Sequence, residues 1–380
     1  MRIGISAHFW PYVTSGSGQY LRHLVTELAR LDSPHECILI GEPGAFANEP
    51  PPLPTATTPA PPVPTGRPAK LWFEQIALPR IVHHLQLDLL HVPYLAPPFF
   101  SPVPTVVTVH DLIPVLLPAY RGSSRKRAYT WLALQSTRRA DVLIAVSEHT
   151  RQDTIRYLNF PAERVFVTHE AAAPGLEPVS NDEIAAVHQK YSLPERFILH
   201  LGDTDVRKGV HRLFQAFARW RSAHPLETAA VVLAGPRREP DGQLHLDLPA
   251  LARSLGIQPD VHFLGPIPET DKAALLSAAS VLALLSEYEG FGLPPLEAMA
   301  CGTAVLVGNR TSLPEVVGQA GILVDPENEA AVVEALGRLL EDEGWRRELG
   351  KRGLERARTF SWARTARETL AVYESVRNEE

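Results

Sequence analysis

Short apolar runs that read as strands recur along the chain, and most are followed by a stretch with helical spacing. In the first half they fall at Ile3–Ala7, Cys37–Gly41, Leu87–Val92, Thr105–Val109 and Asp141–Val146. The second half has Phe197–Leu201, Ala229–Ala234, Val261–Leu264, Ser280–Leu285, Ala304–Val307 and Ile322–Val324. Several are apolar at every position, as strands covered on both faces of a parallel sheet must be. Between them, Tyr20–Leu31, Val210–Trp220 and Glu329–Leu340 carry apolar residues at three- and four-residue intervals, the spacing of a one-faced helix. The alternation predicts doubly wound α/β architecture with parallel sheets wrapped by helices.

The alternation pauses near 169–195, which places a linker around 174–180, and 380 residues are too many for one core. Two domains follow. Residues 50–68 hold nine prolines; prolines remove ladder donors, and a surface loop within the first domain is expected there. Composition then excludes several classes. A formal charge of −6 argues against a nucleic-acid binder. Two cysteines, Cys37 and Cys301, make neither a disulfide framework nor a cysteine zinc site, and the fifteen histidines show no metal-binding spacing. No apolar run approaches the roughly 20 residues of a membrane span, and Met1-Arg2-Ile3-Gly4 enters a strand directly, so a cytoplasmic chain is expected.

The most informative string is Ser286-Glu287-Tyr288-Glu289-Gly290-Phe291-Gly292-Leu293-Pro294-Pro295-Leu296-Glu297-Ala298-Met299-Ala300-Cys301-Gly302. It leaves a strand, passes a glycine-rich turn and opens a helix, whose unpaired N–H groups and dipole suit a diphosphate. Glu297, expected in the helix's first turn, has two oxygens for a pair of ribose hydroxyls, and Glu289 at the loop's mouth could hold those of a sugar. The plainer alternatives are a first-turn acid favoured by the dipole and a solvated loop carboxylate.

This string resembles the signature of retaining glycosyltransferases of family four, which have the GT-B fold. There, two Rossmann-like domains face a cleft, and the nucleotide sugar sits mainly on the C-terminal one. The resemblance implies an N-terminal, acceptor-side domain over 1–175, a donor-binding domain over 176–357, and a terminal helix within 358–380 packing back on the first. Glu289 would contact the donor sugar, Glu297 the ribose, and Gly290, Phe291, Gly292 and Leu293 the diphosphate. Arg207 and Lys208, in Gly202-Asp203-Thr204-Asp205-Val206-Arg207-Lys208-Gly209, would stabilise charge on the leaving phosphates. Asp203 and Asp205 are not assigned to a metal, since this family normally needs none, and no cofactor is expected.

In the first domain, Gly16-Ser17-Gly18 is similar to the family's glycine loop near the donor phosphates. His110, at a strand's carboxyl end, matches a histidine beside the donor sugar, and Asp111 either joins it or caps the following turn. Ser147 matches a serine-containing loop at the cleft, and the segment ending at Ile267 lies where members read the base through main-chain groups. The His110–Pro114 segment and Trp72-Phe73-Glu74-Gln75 with Leu78-Pro79 resemble mannosyltransferases of polysaccharide assembly.

The implied reaction moves a hexosyl group, mannosyl before glucosyl, from a GDP- or UDP-linked donor to a carbohydrate or lipid-linked acceptor, with retention. A sugar-nucleotide epimerase and a silent nucleotide-sugar-binding subunit are the alternatives from other classes. Residues 117–140, with Arg121, Arg125, Lys126, Arg127, Arg138 and Arg139, form either a solvated helix or one lying on the anionic inner face of a membrane.

Overall fold

The structure is a computed structural model and describes residues 1–63 and 65–377. Two compact units result: residues 1–170 with the segment from Ser361, and Ala171–Phe360.

In the first unit the strands are β1 (Arg2–Ser6), β2 (Glu36–Gly41), β3 (Thr55–Thr57), β4 (Leu89–Val92), β5 (Thr105–Val109), β6 (Val142–Ala145) and β7 (Val165–Val167). Every pairing is parallel, in the order β3-β2-β1-β4-β5-β6-β7. In the second, β8 (Phe197–Leu201), β9 (Ala230–Ala234), β10 (Val261–Gly265), β11 (Val281–Leu284), β12 (Ala304–Gly308) and β13 (Ile322–Val324) run β10-β9-β8-β11-β12-β13, again all parallel. The order reverses direction between β1 and β4 and between β8 and β11. In open α/β sheets such switch points open a crevice beyond the strands' carboxyl ends, where ligands bind.

All eleven expected strands are present. Two were missed, and both lie on an edge of the first sheet. β3 falls inside the proline-rich stretch expected to be a loop. It pairs through Leu39–Thr55 and Gly41–Thr57, with Pro54 accepting from the Leu39 amide at 2.8 Å. An edge strand needs only one row of donors, so neighbouring prolines are tolerated. Pro64 lies outside the described residues.

Burial explains the apolar strands. β5, β6, β8, β9, β11 and β12 are buried along their whole length. Helix Val210–Ala223 lays Leu213, Phe214, Phe217 and Trp220 against the second sheet. Burying each such side chain stabilises by about 1.5–3 kcal/mol. The terminal helix, Trp362–Arg377, belongs to the first unit: Tyr373 meets His91 Nδ1 at 2.7 Å, and the Trp362 ring lies 5.0 Å from His23. Residues 378–380 of the expected segment lie outside the described residues. No helix among the described residues is long and apolar enough to cross a membrane.

Candidate active site

In the second unit the two loops at the switch point meet. β8 leads through Gly202–Asp205 into a 3-10 turn, Val206–Lys208, and β11 leads into Leu285–Gly292. Gly209 links the turn to the next helix at φ +71°, and a Cβ there would stand 2.2 Å from the Leu285 carbonyl oxygen. Only glycine permits this approach, and it brings the two loops together.

The Glu289 carboxylate sits between two cations. Lys208 Nζ is 2.7 Å and an Arg207 guanidinium nitrogen 3.3 Å from Oε1, to which the Ser286 hydroxyl donates at 2.6 Å. Arg207 also donates to the Tyr288 carbonyl at 2.5 Å and approaches Asp205 at 3.4 Å. Glu289 is 8% exposed. Burial alone would raise its carboxyl, but Lys208 and Arg207 outweigh it and hold it down at about 2. The Glu289 backbone is held as well: its N–H donates to Thr311 Oγ1 at 3.0 Å, and Ser312 Oγ donates to its carbonyl at 2.9 Å. Thr311 adopts φ +56°, a costly conformation for a β-branched residue that clusters at functional positions.

Gly292, at φ +115°, starts helix Leu293–Ala300. Phe291 is buried edge-on against Phe360, with ring centroids 5.8 Å apart, and Gly290 and Leu293 are half-buried. Glu297 departs from expectation. The helix begins at Leu293, so Glu297 is its fifth residue and lies beyond the first turn. Its counter-charge is Lys272 on helix Glu269–Ala278, 2.6 Å from Oε1. Burial raises the Glu297 carboxyl, with Lys272 opposing. Ile267 follows the edge strand β10, two strand positions from β8. Asp203 and Asp205 face Arg238 and Arg207. Among the described residues no group of three or more His, Cys, Asp or Glu side chains could hold a metal.

In the first unit His110 stands at the carboxyl end of β5. Nδ1 lies 3.0 Å from Glu170 and Nε2 3.1 Å from the Pro93 carbonyl, with Tyr20 edge-on at 4.8 Å. Burial would lower its pKa, but Glu170 and the carbonyl reverse that and raise it, so both ring nitrogens act as donors. Asp111 Oδ1 accepts from the Ile113 amide at 2.9 Å, the turn-capping role. The glycine loop proves to be a helix start. Ser15 caps helix Gly16–Arg30, with Gly16 and Gly18 in the first turn, because the Ser15 hydroxyl accepts from the Gly18 amide at 3.1 Å. Ser147, expected on a loop, is the buried cap of helix Glu148–Leu158, its hydroxyl accepting from the Thr150 amide at 3.0 Å. The basic segment forms helix Ser124–Thr137; Arg138 donates to the Leu158 carbonyl at 3.0 Å, and Arg139 stacks 4.7 Å over Phe99.

Four side chains that sequence reasoning did not single out complete these sites: Glu170, Lys272, Ser286 and Thr311. Glu170 is 60 positions from His110 and Lys272 is 25 from Glu297, so no local spacing marks them.

Comparison with known proteins finds related chains and folds. The model of Glycosyltransferase Family 4 matches residues 14–171, and that of Glycosyl transferases group 1 matches 182–356. The chain is 34% identical to the O-antigen chain mannosyltransferase B of Escherichia coli over 287 residues, covering 74% of this chain and 73% of that protein. It is 34% identical over 273 residues to the serotype-specific mannosyltransferase WbdA of Escherichia coli, covering 70% of this chain and 32% of that longer protein. Among solved structures, HepE of Anabaena in complex with UDP-glucose superposes with a TM-score of 0.76 at 19% identity, over 99% of this chain and 100% of that one. The last likeness concerns the fold, which is GT-B.

Proposed function

The chain belongs to the group 1, family four glycosyltransferases and is a transferase enzyme; from that premise we propose that it moves a mannosyl group from a nucleotide-diphosphate sugar to an acceptor hydroxyl with retention, in polysaccharide assembly. The observation that carries this is the Glu289 carboxylate fixed between Lys208 and Arg207 at the switch point of the second sheet. The choice of mannose rests on the two Escherichia coli mannosyltransferases.

In this reading Arg207 and Lys208 stabilise the negative charge that grows on the diphosphate as the sugar–oxygen bond breaks. Glu289, held in one rotamer by three partners, accepts hydrogen bonds from the sugar's hydroxyls, and Glu297 accepts from the ribose through the oxygen not occupied by Lys272. The acceptor oxygen bonds to the anomeric carbon on the face the phosphate leaves, and its proton passes to the departing phosphate. The reaction uses the chain's own side chains and no cofactor or metal. The exposed cations of helix Ser124–Thr137 and the turn before it rest against an anionic membrane surface, where a lipid-linked acceptor would be presented.

The test is thermal shift with GDP-mannose, UDP-glucose and the bare diphosphates, followed by NMR of the product anomer. A ligand of the folded state raises its stability, so GDP-mannose should shift the transition. Inversion of the anomeric centre would overturn the mechanism, and a shift with UDP-glucose alone would overturn the donor.

A further inference from the structure

The amino-terminal edge of the second sheet, opposite the loops that carry Lys208 and Glu289, holds a cavity of about 380 Å³. It opens where three neighbouring strands begin: Arg196 precedes β8, Ser280 precedes β11 and Ala304 starts β12. Strand β8 is five residues long, so roughly 16 Å of strand separates this edge from the loop that leads to Lys208. Helix Glu343–Ala357 closes the other side and brings Arg346 and Arg347 to the cavity.

The three arginines that share this cavity are not equally matched. Arg196 is paired with Glu227, and Arg347 lies 2.5 Å from Glu343. Arg346 is half-buried and donates to the Leu339 carbonyl at 2.8 Å, yet it makes no ion pair among the described residues. Burial lowers the pKa of its guanidinium; Glu343 opposes that, while the charges of Arg196 and Arg347 add to it. A half-buried cation beside two others is stabilised by an anion, and the planar fork of a guanidinium fits two phosphate oxygens at once. The rest of the lining says what carries the phosphate. No aromatic side chain of the described residues lines the cavity, so nothing there stacks on a base. The carboxylates of Glu195 and Glu343 disfavour a polyanion but accept from neutral hydroxyls. The Ser280 hydroxyl is bonded to no other described residue, and a cavity of this size takes a small molecule rather than a bare ion.

We propose that this cavity binds a hexose monophosphate, with the phosphate on the Arg346 guanidinium between Arg196 and Arg347, and the sugar hydroxyls on Glu195, Glu343 and Ser280. The site lies at the opposite edge of the sheet from the nucleotide-sugar residues, and it stands whether or not the donor assignment does.

The experiment titrates the full chain at low salt with mannose 6-phosphate and, separately, with mannose, inorganic phosphate and GMP, followed by calorimetry. The wild type should bind mannose 6-phosphate more tightly than any of the other three. Arg346→Met, which removes the charge and keeps much of the stem, should weaken it about tenfold or more, and Arg346→Lys should recover part of the loss. Arg347→Ala should weaken it severalfold, an exposed change that reads the same site should the Arg346 variants fold poorly. Lys208→Met should leave it unchanged, which separates this cavity from the residues assigned to the donor's diphosphate. Absence of mannose 6-phosphate binding by the wild type up to about 10 mM, wild-type affinity in both Arg346→Met and Arg347→Ala, or a loss confined to Lys208→Met would each overturn the proposal. So would inorganic phosphate or GMP binding as tightly as the sugar phosphate.

Discussion

Replacing Lys208 with methionine keeps the length of the side chain and removes the charge nearest Glu289. Both partners are about nine-tenths buried, with 12% and 10% of their side chains exposed. Breaking such a pair costs about 3–5 kcal/mol when the remaining charge is abandoned. Here it is not abandoned, because Arg207 at 3.3 Å and the Ser286 hydroxyl at 2.6 Å remain. About 2 kcal/mol is therefore expected, which for a unit of this size lowers its unfolding temperature by about 4–8 °C. Turnover should fall further, by about 10²–10³-fold, the usual loss when a preorganised group is taken from developing charge. Scanning calorimetry reads the first effect, and nucleotide-diphosphate release at saturating donor and acceptor reads the second. The two separate in the double variant. Adding Glu289→Gln removes the under-compensated carboxylate, so stability should partly return while turnover does not. Turnover of Lys208→Met within about threefold of wild type, far from the expected loss, would refute the leaving-group role. A double variant no more stable than the single would refute the electrostatic account.

Glu289 titrates in the fold at about 2 against an ordinary 4.5, so its stabilisation is complete above pH 4.5 and disappears as pH falls toward 2. Acid unfolding of Glu289→Gln followed by circular dichroism should lack that part of the slope. His110 is shifted upward from 6.5 because Glu170 and the Pro93 carbonyl outweigh burial, so its contribution to stability is complete below pH 6.5 and lost as pH rises through the folded value; Glu170→Gln should lower the pH at which that contribution is lost in thermal unfolding. Lys272→Met strands Glu297 in a buried place and favours its neutral form, and it should raise the donor's KM about tenfold with a smaller change in kcat. Flotation with anionic liposomes at low salt should carry the wild type upward and a variant lacking Arg125, Lys126 and Arg127 less so; a wild type that stays at the bottom removes the membrane reading.

The sheets were legible because their central strands are apolar on both faces, a pattern set by burial alone. The two missed strands escape that test for a physical reason. Thr55–Thr57 and Val165–Val167 have three residues each on an outer position, too few to show a period; Thr55 and Thr57 are exposed, while Val165 is buried and Phe166 and Val167 are half-buried. Helix boundaries failed where capping chemistry was overlooked. Ser15 three residues before Gly18, and Ser147 three before Thr150, are ordinary helix starts, yet a glycine pattern and a family likeness drew attention to loops instead. Glu297 was misplaced within its helix because Gly292, not a residue further along, supplies the positive φ at the start.

The candidate site shows a deeper limit. Arg207, Lys208 and Glu289 were legible as positions, the first two through the family resemblance and Glu289 because a strand end followed by a glycine turn places a side chain at the sheet's carboxyl edge. Their pairing was not. Glu289 was assigned to the sugar and Arg207 with Lys208 to the phosphates, as separate duties, whereas the structure makes them one ion cluster. Two loops that follow strands adjacent in the sheet but 81 positions apart in sequence meet only because β8 and β11 pair at the switch point. That pairing follows from strand order, which periodicity does not encode. The same holds for Lys272: on a helix that exposes Glu269 and Thr270, its burial is explained by a carboxylate on a different helix. Strand order thus decides which charges share one dielectric environment, and with it whether a carboxylate stays ionised to accept a sugar's hydroxyls.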